Sequence, residues 1–148
     1  MSLEGDIRTA LLTMSAVTAK VGTGTSARIR PYRLQTIDDR TEEHIIMEVD
    51  VQARENTLDG SGGVLVNAAV NLSCRAMTLD EARALAAAVK TNGTNPGTGF
   101  AWYGGSGTAF HAWLEDETHS EIKWKDDSRE RVWHVIDQSY TVQYTEAV

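Results

Sequence analysis

Two stretches, EHIIMEVDVQARE (residues 43–55) and GVLVNAAVNLSCRAM (residues 63–77), decide the fold. In the first, Ile45, Met47, Val49 and Val51 alternate with His44, Glu48 and Asp50. In the second, Val64, Val66, Ala68, Val70, Leu72, Cys74 and Ala76 hold one face, and Asn67, Asn71, Ser73 and Arg75 hold the other. Side chains of a strand point alternately to opposite faces, so this pattern predicts two half-buried antiparallel strands. The segment between them, residues 56–63 (NTLDGSGG), is rich in residues that accept positive φ and reads as a hairpin loop.

Moving outward, Thr78 and Glu81 have the spacing of a capping box, and Leu79, Ala82, Leu85, Ala86 and Val89 form the apolar stripe of a helix. Toward the N-terminus, Leu3, Ile7, Ala10, Leu11, Met14 and Val17 recur at three- and four-residue steps, predicting one helix over 3–19 that Gly22 and Gly24 stop. Arg28 to Arg30 reads as a short extended piece ended by Pro31, and Tyr32 to Glu42 as a loop. Residues 91–107 (TNGTNPGTGFAWYGGSG) read as a long glycine-rich loop. A strand over Thr108–Glu117 follows, with Phe110, Ala112 and Leu114 on one face, then a charged connection from Thr118 to Arg131. A last strand over Val132–Tyr144 carries Val132, Ile136, Tyr140, Val142 and Tyr144 in one register. The predicted fold class is α+β: one domain over 1–148, a mostly antiparallel sheet with two helices on one face, in the order α-β-β-β-α-β-β.

Bulk properties narrow the function. The 148 residues are 41% hydrophobic and 24% charged, enough for one packed core. No apolar run approaches the roughly 20 residues a membrane span needs, and the first residues lack a secretory plan, so folding in the cytoplasm is the expectation. Fourteen basic against 21 acidic residues leave a net charge of −7. Arg28, Arg30 and Arg33 are followed by Asp38 and Asp39 and fall short of a phosphate-binding footprint, which argues against specific nucleic-acid binding. An acidic wall that lets DNA pass without sticking fits this balance. Cys74 is the single cysteine and lies on the apolar side of a strand, the place of a buried thiol.

No catalytic constellation emerges, and no cofactor is expected. His111, His119 and His134 lack helical ligand spacing, with His119 placed in a connection and His134 in a strand, so no metal site is expected. The consecutive acids Glu115, Asp116 and Glu117 point to alternating faces, which does not make a paired acid–base site. Gly22-Thr23-Gly24 and Gly104-Gly105-Ser106-Gly107 lack the lysine and helix start of a phosphate loop.

The stretch Leu58-Asp59-Gly60-Ser61-Gly62-Gly63 with its following strand, then Met77-Thr78-Leu79-Asp80-Glu81-Ala82-Arg83-Ala84-Leu85-Ala86, resembles the phage tail-completion, or tail-terminator, proteins. That family has a "DGxxG" hairpin turn and a helix beginning "T-x-x-E-A-R-x-L-A". Arg28-Ile29-Arg30-Pro31 resembles its "R-I-x-P" stretch, and Leu114-Glu115-Asp116-Glu117 the start of its C-terminal hairpin. The 91–107 loop and the 118–131 connection are longer than the family's usual ones. The resemblance implies a non-enzymatic ring, usually a hexamer, on the head-proximal end of the tail tube. Its implied partners are further copies of the chain, the tail tube protein, the neck or head connector protein and, in a contractile tail, the sheath protein. The implied location is the virion, after assembly in the host cytoplasm.

Apolar side chains that would be costly in water supply candidate contacts: Leu58 at the hairpin tip, Phe100, Trp102 and Tyr103 in the long loop, and Trp124 in the charged connection, with Asp59 beside Leu58 as a further candidate. Two other roles fit the sequence. One is a head–tail joining protein; the other is a small ligand-binding domain that uses residues 91–107 as a lid.

Overall fold

Both alternating stretches are strands, and they pair as the pattern requires. The computed structural model describes residues 3–31, 42–56, 64–93, 99–105, 108–126 and 129–146. Strands β2 (His44–Asn56) and β3 (Val64–Ala76) form an antiparallel hairpin from His44 opposite Arg75 to Asn56 opposite Val64. One extra residue, Gln52, interrupts the register. The hairpin's turn lies outside the described residues, as do Leu58 and Asp59 and most of the predicted 32–42 loop.

A short β1 (Ile29–Pro31) runs parallel to β2 at one side of the sheet. At the other side stand β4 (Trp102–Tyr103), β5 (Phe110–Asp126) and β6 (Arg129–Glu146), giving the order β1-β2-β3-β6-β5-β4. The seam is β3 with β6, paired without interruption from Val64 opposite Glu146 to Ala76 opposite His134.

The expected charged connection over 118–131 is corrected: most of it is strand. β5 and β6 pair residue for residue out to Asp126 opposite Arg129. Polar and charged side chains dominate there, and the two apolar residues Ile122 and Trp124 make too short an alternation to mark the strand. The expected boundaries 108–117 and 132–144 each stop where the apolar alternation stops. The 91–107 stretch is likewise not one loop, since Thr91 ends a helix and Trp102 and Tyr103 pair with β5.

Helices α1 (Leu3–Leu12), α2 (Ser15–Val21) and α3 (Leu79–Thr91) cover one face of the sheet. The single helix expected over 3–19 is two. Thr13 takes the Ala10 carbonyl with its own hydroxyl (2.6 Å), and Met14 turns extended before α2 begins. Such local side-chain bonding competes with helix continuation. The apolar stripe crosses the break undisturbed: Ile7, Ala10, Leu11, Met14, Val17 and Val21 are all buried. The free amide of Ala16 at the start of α2 donates to the Asn92 side chain (3.1 Å), a cap supplied from far along the sequence.

Thr78 caps α3 as expected, accepting from the Glu81 amide at 3.2 Å. The helix closes on Asn92 in the left-handed region at φ 53°, whose amide bonds the Ala88 carbonyl at 2.8 Å. The chain then returns under the helix end, where Phe100 donates its amide to Val89 at 2.7 Å. Gly99 permits this approach, since a Cβ there would collide with the Lys90 carbonyl. The core between layers holds Ile45, Met47, Val70, Leu72, Cys74, Phe110, Ile136, Tyr140 and Val142 from the sheet, against Leu11, Val17, Leu85 and Val89 from the helices.

Removing the α3 cap with Thr78→Ala is expected to cost about 1 kcal/mol in urea unfolding with an unchanged m-value.

Candidate functional site

Three groups of side chains are candidates for function: the aromatics near β4, the carboxylates at the start of the long arm, and the aromatic cluster on the face away from the helices.

β4 pairs with β5 so that Trp102 stands opposite Trp113 and Tyr103 opposite Ala112. Tyr103 therefore faces the helices, where it stacks near Phe100 (centroids 5.9 Å) and Phe110 (4.8 Å). Phe100 is completely buried, edge-on to Tyr140 at 4.7 Å. The expectation that Phe100 is a contact side chain is thereby corrected, because it plugs the chain's own core. Trp102 points the other way and is 68% exposed. Val51 is the other exposed large hydrophobic among the described residues. With Phe100 and Ala101 buried, the described part of the long loop is anchored to the core rather than free as a lid.

Trp124 lies in β5, not in a connection, and is half-buried. Its ring packs on Trp133 (centroids 5.2 Å), which in turn meets His44 edge-on at 5.2 Å. The guanidinium groups of Arg75 and Arg131 sit over Trp133 and Trp124 at 5.4 and 5.9 Å. This second cluster, with buried Ile46, Ser73 and Val135, occupies the sheet face opposite the helices. Sequence reasoning assigned that face to polar residues. The available signal was Trp133, one position out of register with Val132 and Ile136.

The three consecutive acids are each engaged separately. Glu115 is the extra residue of a bulge between Leu114 and Asp116. It accepts from Trp113 Nε1 (2.6 Å) and Thr141 Oγ1 (3.0 Å). Asp116 accepts the Glu117 amide at 2.9 Å. Glu117 meets Lys90 Nζ at 3.2 Å and accepts from Gln138 Nε2 at 2.8 Å. Gln138 is wholly buried, and its amide also donates to the Ala86 carbonyl (3.0 Å) while its oxygen accepts from Tyr140 Oη (2.8 Å). These carboxylates hold structure together; no two of them share a proton site. Burial, with Glu117 and Asp137 nearby, pushes the Cys74 thiol far up, so it is not a nucleophilic thiolate.

Of the three histidines weighed for metal binding, the structure brings His119 and His134 together at 5.9 Å between nearly parallel rings, with Glu121 of β5 beside them. His111 lies elsewhere on β5, opposite Gln143. Among the described residues no helix is long and apolar enough to cross a membrane.

No protein-family model matches the sequence, and no curated protein matches it significantly. Among solved structures, a chain in the virion of a native gene transfer agent particle has a similar fold. The TM-score is 0.60 at 14% identity, over 98% of this chain and 96% of that one.

Phe100→Ala is expected to lose about 3–5 kcal/mol of stability in denaturant unfolding, as for a large aromatic truncated in a core. Trp102→Ala, at an exposed position, is expected to change it by less than about 0.5 kcal/mol.

Proposed function

We propose that the chain is a structural component of a phage-type particle and, within it, the tail terminator. In this reading copies of the chain close into a ring, hexameric by family resemblance, on the head-proximal end of the tail tube. The ring stops further addition of tube protein and presents a docking surface to the neck connector, and to the sheath where the tail contracts. The role is non-enzymatic, carried out in the virion after assembly in the host cytoplasm.

The observation that carries the reading is the fold likeness to a virion chain along nearly the full length of both proteins. The likeness is independent of the short motifs around the hairpin turn and the capped helix, which resemble tail-completion proteins. Two further features support an assembly role. The carboxylates Glu115 and Glu117, weighed for acid–base catalysis, are spent on internal contacts of the arm and of α3. An exposed tryptophan beside the sheet margin is costly in water and is the kind of anchor that interfaces bury. The net charge of −7 suits a ring through which DNA moves without being held.

Ring closure from one kind of subunit needs two different, complementary surfaces on each copy. We assign Trp102 to one of them, with Leu58 and Asp59 of the β2–β3 hairpin tip as candidates for the reach to a neighbour. Half-buried Tyr103 and Trp124 support their own sheet first and contribute at most an edge.

Silencing the gene and examining the particles by electron microscopy tests the role. Overlong or irregular tails without heads are the expected result. Tails of normal length beside filled heads would move the chain to the head–tail joining step, and intact virions would refute a particle role. Trp102→Ala is expected to weaken ring formation by roughly 2 kcal/mol, about 30-fold, in analytical ultracentrifugation. Its melting temperature is expected to stay at the wild-type value.

A further inference from the structure

We propose that His119, Glu121 and His134 form a binding site for a divalent transition-metal ion of the zinc class. The site rests on the β5–β6 pairing and is independent of the role assigned to the particle.

The register puts Glu121 directly opposite His134, and His119 opposite Ile136, two positions along the same face. The Glu115 bulge makes this possible. Before it, even-numbered residues of β5 face the helices; after it, odd-numbered ones do, so Glu117, His119 and Glu121 join Gln138, Ile136 and His134 on that side. Each of the three residues then offers one ligand atom, and these atoms lie within 4.8 Å of one another.

Among the described residues, one ring nitrogen of this cluster is left without a hydrogen bond. His134 Nδ1 is screened from water and has no hydrogen-bond partner. Its approach to Glu121 Oε1, 3.7 Å, is too long for a hydrogen bond. The two imidazoles lie nearly parallel, 14° apart, so neither donates to the other in its plane. A sheltered ring nitrogen without a partner is costly, and a cation at about 2.0–2.1 Å removes that cost.

The ligand set selects the ion. Two imidazoles and a carboxylate suit zinc and its neighbours, whereas calcium and magnesium take oxygen ligands. Tetrahedral zinc needs ligand atoms about 3.3 Å apart, given bonds of about 2.05 Å. Rotation of the exposed His119 and Glu121 side chains supplies the closure, and the strand ladder keeps the Cα positions fixed. Three protein ligands leave one coordination position for water. Cys74, the strongest competing ligand type in the chain, is fully buried and does not belong to this group of ligand atoms.

Isothermal titration of the tag-free full chain with Zn²⁺ tests the assignment, with Co²⁺ absorption as a second readout of a nitrogen–oxygen site. One saturable ion per chain is expected, insensitive to excess Mg²⁺. His119→Ala and His134→Ala are each expected to weaken it about tenfold or more, while His111→Ala leaves it unchanged. Glu121→Gln, at an exposed position, guards against variants that fail to fold and is also expected to weaken binding about tenfold. Absence of saturable binding to the wild-type chain would overturn the proposal. So would wild-type affinity in folded His119→Ala, His134→Ala or Glu121→Gln.

Discussion

The unbroken pairing of β3 with β6 is the constraint on which the molecule depends. It joins two long hairpins, β2–β3 and β5–β6, that are otherwise separate local structures. Both hairpins tolerate an extra residue in their outer strand, while the seam tolerates none along its length. A one-residue slip there would carry Leu72, Cys74, Ile136 and Tyr140 to the wrong face together, because the period of a strand is two. At the seam, opposite Leu72, sits the buried Gln138. Its amide ties the α3 backbone to Glu117 of β5, and its oxygen holds the Tyr140 hydroxyl. Every polar atom of that side chain has a partner, which is the condition under which a buried polar group fixes one arrangement rather than weakening it. Lys90 extends the link from α3 through Glu117, so helix and hairpin arm are set against each other at two points.

The α+β class, the β2–β3 hairpin and the capped α3 were legible because each leaves a strong local signal. Alternation along Ile45–Val51 and Val64–Ala76 needed one buried face, and Thr78 with Glu81 needed only the first turn of a helix. The break in the N-terminal helix left no such trace. Its apolar stripe continues through Met14, and the residue that caps α2, Asn92, comes from another element altogether. The outer half of the β5–β6 arm was missed for the opposite reason, since only Ile122 and Trp124 alternate there with Glu121, Lys123 and Lys125, a run too short to outweigh the surrounding charge.

The candidate site was legible in kind more than in place. An aromatic-rich stretch at Phe100–Tyr103 drew attention correctly, yet one backbone turn sends its members in opposite directions. Phe100 goes to the core, Tyr103 to the core's margin and Trp102 to solvent. Which aromatic serves the fold and which is left for a neighbour depends on β4's pairing with Trp113 and Ala112, a contact that two residues of strand cannot announce. The cluster of Trp124, Trp133, His44 and Arg75 was missed because its members come from four strands and meet only across the sheet.

The bulge at Glu115 also governs how the arm can change length. Facing in this sheet is a matter of odd and even, and a single added residue exchanges the two for everything beyond it on that strand. Loss of that one residue would swing Ile122 and Trp124 toward the helix side and His119 and Glu121 away from it. Lengthening beyond the bulge preserves both faces only when residues come in pairs, one matched set on each strand. The arm is therefore quantised: it can grow or shorten in steps of about 6–7 Å, and intermediate lengths exchange its two surfaces.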